Sequence, residues 1–349
     1  MLHALTSALI AATLAAAPFD PQTAAKGTFL YDLSDTDGAV ASSWASLAWD
    51  PKHRELFVVD REDGSVGIFN EGGMEIYRFG QDADLGTILA VAPLEQGDLI
   101  VLGNEQGRPV LHRCNFRGEP RSQIRIGALP PEFAKDFAPE ILVSRGGKLY
   151  LAQRGAMKVL VVDVDGNVEA THDFFRELGL DKTKTARGGV PAMQAFNVDE
   201  EGDYLFTVAP MFKVFVVTPS GKVTSFGDRG GSPGKFNVVG GIARDPRGRF
   251  LVGDVLRGVV MVFSPELEFR GEFGGRGWGP GELIAPMEVA VAGDQVFVSQ
   301  SARRGVSAFR LVVQEPPPPP PPAPAAPPAP AAPSPSAAAS PAAAASAGR

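Results

Sequence analysis

The segment Phe226-Gly-Asp-Arg-Gly-Gly-Ser-Pro-Gly-Lys-Phe236 returns 47 positions later as Phe273-Gly-Gly-Arg-Gly-Trp-Gly-Pro-Gly-Glu-Leu283, so the chain is built at least partly from copies of one unit. After each copy comes a small-apolar stretch, then a turn, then a second hydrophobic stretch. The same order recurs upstream with looser spelling. The first stretches are centred near Leu47, Leu89, Ile141, Ala195, Ile242 and Val289, with successive spacings of 42, 52, 54, 47 and 47. A leucine-rich or ankyrin unit is shorter than this, whereas about 40 to 50 residues holding several strands is the period of a propeller blade.

Within a unit the apolar residues fall at every second position and β-branched residues are frequent, as in Glu55-Leu-Phe-Val-Val-Asp60, Lys148-Leu-Tyr-Leu-Ala152, Lys213-Val-Phe-Val-Val-Thr218 and Gln295-Val-Phe-Val-Ser299. That is the pattern of strands, not of an amphipathic helix. Gly97-Asp98, Gly146-Gly147, Gly202-Asp203 and Gly293-Asp294 divide first from second strands, and Asp165-Gly166 and Ser220-Gly221 divide third from fourth. Such pairs supply the positive φ that tight hairpins need. Five units are complete. A sixth, from about Pro286 to Val313, holds three strands, and Thr28-Phe-Leu-Tyr-Asp-Leu33 is the strand without a partner. The expected fold is all-β: a six-bladed β-propeller of four-stranded antiparallel blades, with the N-terminal strand closing the last blade and removing open sheet edges.

The units resemble the NHL repeat family, whose pattern is Phe-Gly-x-x-Gly-x-x-x-Gly-x-Phe, then Pro and a strand, then an apolar strand ending in Val-x-Asp. The resemblance spans roughly Ala45 to Val313. It is strongest in the two Phe-Gly-x-Arg-Gly segments and holds for Phe250 to Asp254 and Phe57 to Asp60. After the second strand the family has an Asn-x-Arg-Ile-like turn, and this chain departs from it with Gly103-Asn104, Arg154-Gly155, Pro210-Met211 and Ser301-Ala302. The resemblance implies a rigid binding platform without catalytic machinery.

The ends differ from the middle. Residues 1–17 form an apolar run closing in small residues before Pro18, which fits a secretory signal and predicts a periplasmic or extracellular protein. Residues 24–314 hold the repeats. Residues 315–349 are almost wholly Pro, Ala and Ser, a composition with too little apolar bulk to fold, so a disordered proline-rich tail is expected. Between leader and tail no segment has the run of about 20 apolar residues that a membrane span needs. The net charge of −7 argues against a general nucleic-acid binder. Cys114 is the sole cysteine and reads as a buried, inert thiol.

Related six-bladed enzymes imply two sites to look for. An amidating lyase holds a metal with channel histidines, but here His3, His53, His112 and His172 all fall outside the innermost strands, so no zinc site of converging imidazoles is expected. Calcium-dependent lactonases use oxygen ligands at the channel mouth. Aligning the first strands puts Ser46, Glu140, Gln194, Gly241 and Glu288 at one depth, so Glu140, Gln194 and Glu288, with Asn197 deeper, are the candidate ligands for calcium in a lactonase-like hydrolase. The bland alternative, hydrated polar lining of a channel, is the favoured reading, with no cofactor. Asp163-Val-Asp-Gly-Asn167 lacks the outer ligands of a calcium loop and reads as a hairpin turn. Loops between second and third strands carry Arg61, Arg108, Arg154, Lys158, Arg257, Arg303 and Arg304, and the connection after the third unit adds Lys182, Lys184 and Arg187. A basic face on an acidic protein suits a partner protein or an anionic polymer.

Overall fold

In the computed structural model, residues 25–81, 84–181 and 189–313 are described. The leader, the tail and Lys182, Lys184 and Arg187 lie outside them. Near the N-terminus β1 (Ala25–Asp32) is followed by a small hairpin of β2 (Ser34–Asp35) and β3 (Gly38–Ala39). Four four-stranded sheets come next, each ordered as in the chain. They are β4 (Ser46–Asp50), β5 (Glu55–Asp60), β6 (Ser65–Asn70) and β7 (Glu75–Phe79), then β8 (Thr87–Pro93), β9 (Leu99–Glu105), β10 (Arg108–Cys114) and β11 (Pro120–Ile124). The third has β12 (Ile141–Arg145), β13 (Lys148–Gln153), β14 (Lys158–Asp163) and β15 (Val168–Asp173); the fourth has β16 (Ala195–Val198), β17 (Tyr204–Val208), β18 (Lys213–Val217) and β19 (Val223–Phe226). All their pairings are antiparallel.

The last strands form one eight-stranded sheet. Its first half is β20 (Val239–Arg244), β21 (Phe250–Asp254), β22 (Val259–Phe263) and β23 (Phe269–Gly274); its second is β24 (Glu288–Ala292), β25 (Gln295–Ser299), β26 (Val306–Val313) and β1. The N-terminal strand thus pairs antiparallel with β26, from Ala25 opposite Val313 to Asp32 opposite Ser307. What the repeat did not anticipate is that the two halves are joined, through one parallel bridge between Ala25 and Gly271. Gly271 explains it: a Cβ there would stand 2.4 Å from the Ala25 carbonyl oxygen, so only glycine lets β1 approach β23 so closely.

Each sheet is buried on both faces by its neighbours, giving an all-β, propeller-like arrangement. The apolar residues sort into clusters that each join consecutive sheets, for example Tyr150, Phe196 and Phe206 between the third and fourth. The last cluster joins the end of the chain to its beginning, with Phe297, Val306 and Ala308 against Leu33, Ala45, Leu56 and Phe69. The innermost strands β4, β8, β12, β16, β20 and β24 touch in that order, and β24 touches β4. Double-sided burial also explains why second strands such as β17 and β21 are buried at every position, while β11 at an outer edge is almost wholly exposed. No helix of the described residues is long and apolar enough to cross a membrane.

The hairpin turns share a device that glycine pairs alone do not reveal. A polar residue at, or just after, the end of a strand accepts, with its side-chain oxygen, the N–H groups two and four residues on. Asn115 does this for Arg117 and Glu119, Asp163 for Asp165 and Asn167, Asp199 for Glu201 and Asp203, and Asp245 for Arg247 and Arg249. The chain spells this Asp/Asn-x-x-Gly, and the glycine takes the left-handed conformation. Leu267 stands at the glycine position in Ser264-Pro-Glu-Leu267 and still adopts φ 69°, its N–H donating to the Ser264 carbonyl and its side chain packed on the cluster that includes Phe250 and Phe263. The Asp163 segment is therefore a hairpin turn, and its oxygens are already engaged.

One close approach falls on the second strand β9. A Cβ on Gly103 would lie 2.0 Å from the Leu85 carbonyl oxygen, which is backbone and cannot yield cheaply. Gly103→Ala is expected to destabilise by about 1–3 kcal/mol, as overpacking of a filled interior does. A thermal midpoint unchanged from the parent would contradict this contact.

Candidate functional site

The first strands of the sheets touch one another in sequence, and a network of charged groups lies at their ends. Glu140 stands just before β12, Glu288 opens β24, Arg61 follows β5 and Arg154 follows β13. Arg154 reaches across to Glu288, Nη2 to Oε1 at 3.2 Å, and its own backbone N–H donates to Glu140 Oε2 at 3.0 Å. Arg61 donates through Nε and Nη2 to the Leu89 carbonyl at 3.2 and 3.0 Å, and through Nη2 to the Glu140 carbonyl at 3.4 Å. The Leu89 carbonyl is offered by local geometry, because β8 bulges between Ile88 and Ala90 and drops Leu89 out of the ladder.

Burial governs the titration of these groups. It lowers the Arg61 pKa, with a further push from the like charge of Arg154, while Glu288 and Glu140 oppose it. It raises the Glu288 pKa above the ordinary carboxyl range, against the pull of Arg154 and Arg61. Solvent still reaches the pair, with the Arg154 side chain 26% and that of Glu288 23% exposed.

Of the four expected calcium ligands, Glu140 and Glu288 both contact Arg154, Glu140 through the Arg154 backbone N–H and Glu288 through its guanidinium. The Asn197 amide donates to the Ile242 carbonyl at 3.2 Å, and its oxygen accepts from the Val198 N–H. Gln194 binds the Thr207 carbonyl through its backbone. Calcium takes six to eight oxygen ligands, whereas here guanidinium groups lie among the carboxylates, so this donor set does not suit that ion.

Among the described residues, Asp199, Glu201 and Asp203 converge closely enough for a metal, but Arg244 lies within 3.5 Å of all three carboxylates. The described histidines are dispersed: His53 binds Asp50 in a turn, His112 is buried in β10, and His172 bonds Tyr204. Cys114 is buried, and burial pushes its thiol up to about 12, which fits an inert side chain.

The expected basic face is broken up by local partners. Arg257 pairs with Glu272 and Arg303 with Glu62, while Lys158 donates to the Glu132 carbonyl beside the Phe133 ring. Arg61 donates to the Leu89 carbonyl, Arg154 pairs with Glu288, and Arg108 is exposed at the start of β10. Arg304 stacks on Trp278, its guanidinium carbon 5.6 Å from the ring centroid.

Trp44 and Trp278 are 59% and 63% exposed; the Trp44 backbone meets the turn Ser301–Arg304 at Gln300, and the Trp278 ring meets it at Arg304. The turn is held from both directions: the Trp44 N–H donates to the Gln300 carbonyl, the Arg303 N–H to Ser43 Oγ, and the Ser301 N–H to the Ile284 carbonyl. Trp44, Ala302 and Arg303 all have φ between 53° and 56°, left-handed conformations that non-glycine residues adopt at a cost. A signal was present in the repeat, where Trp278 replaces Gly231 of the sister unit at an exposed connector position.

No protein-family model and no curated protein matches the chain. Solved structures do. A protein of unknown function from Bacteroides thetaiotaomicron superposes with a TM-score of 0.54 at 12% identity, covering 83% of this chain and 75% of its own. A putative gluconolactonase superposes at 0.53 and 14% identity, covering 85% and 94%. A streptogramin B lyase superposes at 0.50 and 11% identity, covering 82% and 97%. Such low identities carry the fold alone, a propeller-like arrangement of four-stranded sheets.

Proposed function

We propose that this chain is an exported, noncatalytic six-bladed β-propeller of the NHL-repeat kind. It acts in the periplasm or outside the cell as a binding platform for an anionic protein or polymer. The blade count is supported by the eight-stranded sheet, whose halves each hold four antiparallel strands and meet at a single bridge. The proline-rich extension would hold the platform away from its surroundings, because polyproline segments are stretched and semi-rigid.

The observation that carries the reading is the exposure of Trp44 and Trp278 beside one strained turn, with the Arg304 guanidinium over the Trp278 ring. Tryptophan and arginine dominate the energetics of interaction surfaces, and exposed large apolar groups that cluster mark binding sites. A lactonase-like hydrolase draws less support, because its candidate carboxylates face guanidinium groups.

The test is retention on immobilised heparin at low salt. The parent should be retained despite its net charge of −7 and elute as salt rises. Trp278→Ala and Arg304→Glu should each weaken binding about tenfold or more, the scale of a hot-spot residue. A parent that passes through unretained, or variants that elute with it, would remove this reading.

A further inference from the structure

We propose that the groove where the last sheet meets the first binds a neutral saccharide. The site is separate from the tryptophan turn and does not rest on what that turn binds. In the antiparallel last sheet the turn Ser301–Arg304 follows β25, whereas the turn reaching Gln295 precedes it, so the two lie at opposite ends of that sheet.

The groove has a volume of about 830 Å³, within the range of about 300–1,000 Å³ for small-ligand sites. Trp49 and Tyr31 give it an aromatic wall, and Arg54, Glu71, Asp294 and Arg310 give it a polar rim.

The first ground is that both aromatic groups are fixed before any ligand arrives. Trp49 stacks on Phe297 with ring centroids 5.8 Å apart. The Tyr31 ring lies over Gly73, where a Cβ would come within 2.2 Å of it. The Tyr31 hydroxyl donates to the Glu71 carbonyl and accepts from the Gln295 amide, and burial raises its pKa, so it stays a phenol. The contacts with Phe297, Gly73 and Glu71 each join the first sheet to the last, so closure of the ring builds the wall. A wall ordered in advance spares the ligand the cost of ordering it.

The second ground is the charge pattern of the rim. Arg54 pairs with Glu71 and Arg310 with Asp294, so the rim carries cations and anions in equal number. These four side chains are 42% to 68% exposed, which leaves N–H groups and oxygens beyond each pair open to a ligand. Arginine only donates and a carboxylate only accepts, whereas a hydroxyl does both. A polyol can therefore use the whole rim, while a lone anion or cation meets like charge on half of it. The C–H face of a pyranose also suits the negative face of an aromatic ring. Aromatic wall and mixed rim together fit a sugar better than an ion or a purely apolar solute.

The experiment is calorimetric titration of the full chain with cellohexaose, maltohexaose and N-acetylchitohexaose in turn, at low and at high salt. Saturable binding of at least one is expected, little changed by salt because the ligand is uncharged, and which one binds identifies the sugar. Trp49→Ala should weaken it about tenfold or more, the scale of a hot-spot residue. Trp49→Phe, which keeps a ring against Phe297, should retain most of it. Arg54→Ala and Asp294→Ala, at exposed side chains where substitution barely changes stability, should each weaken it about three- to tenfold, the worth of one hydrogen bond. They serve if Trp49→Ala misfolds. Trp278→Ala and Arg304→Glu should leave sugar binding unchanged while weakening retention on heparin, so the two sites can fail independently. No saturable binding of any of these sugars, unaltered affinity in a folded Trp49→Ala or in both rim variants, or loss of sugar binding in Trp278→Ala would overturn the site.

Discussion

A chain lacking residues 27–35 is expected to lose its folded state in one cooperative step, although the deletion leaves every central strand intact. The deleted strand forms the ladder with β26, and Leu33 extends it by donating to the Val306 carbonyl at 2.9 Å. Phe29 meets Phe309 edge-on at 5.8 Å between ring centroids, and Leu33 is buried in the cluster that joins the chain's end to its beginning. Each large apolar side chain withdrawn from water contributes about 1.5–3 kcal/mol. Leu33 is fully buried and Phe29, Leu30 and Tyr31 are partly so, and their loss together with the β26 ladder removes several kcal/mol from a net stability of about 5–15 kcal/mol. It also opens the outer edges of β26 and β23 to other chains. Circular dichroism through a thermal ramp reads the outcome, and a truncated protein melting with the parent would show that closure is not what holds the ring.

Phe309→Ala tests the same closure through packing alone. Phe309 is 1% exposed and lies between Phe29 of the N-terminal strand and Phe273 of β23, the latter with centroids 4.9 Å apart. Three strands from the two ends and the last complete unit thus share one ring. Truncating a fully buried phenylalanine costs about 3–5 kcal/mol, part from lost transfer energy and part from the cavity left behind. Phe116→Ala, at a side chain 63% exposed, is the control and should be near neutral. Denaturant midpoints with unchanged slope separate them, and equal midpoints for the two variants would refute the shared core.

Much of the fold was legible because it is local. Spacing between small-apolar stretches located the first strands, and glycine-bearing turns located the hairpins, since a positive φ is a property of one residue. The unpaired segment at Thr28 to Leu33 could be matched to the three-stranded last unit by counting. The parallel bridge at Gly271 escaped that reasoning: glycine in a strand signals a close approach without naming what approaches. Strict alternation also understated the second strands, because neighbours on both faces favour apolar residues at every position.

The candidate site was legible only in part. Aligning the first strands put Glu140 and Glu288 at one depth, and both contact Arg154. Their partners were not available to it. Arg154 and Glu288 are separated by 134 positions, and Arg61 and Glu140 by 79. Nothing in the spelling of a loop states whether its arginine turns toward solvent or toward another sheet. Reading Arg61 and Arg154 as surface charge and Glu140 and Glu288 as oxygen ligands divided one network into two.

The sequence by itself determined the strands, their turns and the need for a partner at both ends, because backbone conformation and apolar periodicity are set by near neighbours. Only the tertiary structure decided which charges meet across the ring and which tryptophans meet the same turn. Side-chain encounters between distant sheets depend on the curvature that closes the ring, and that curvature is a property of all the packed faces together.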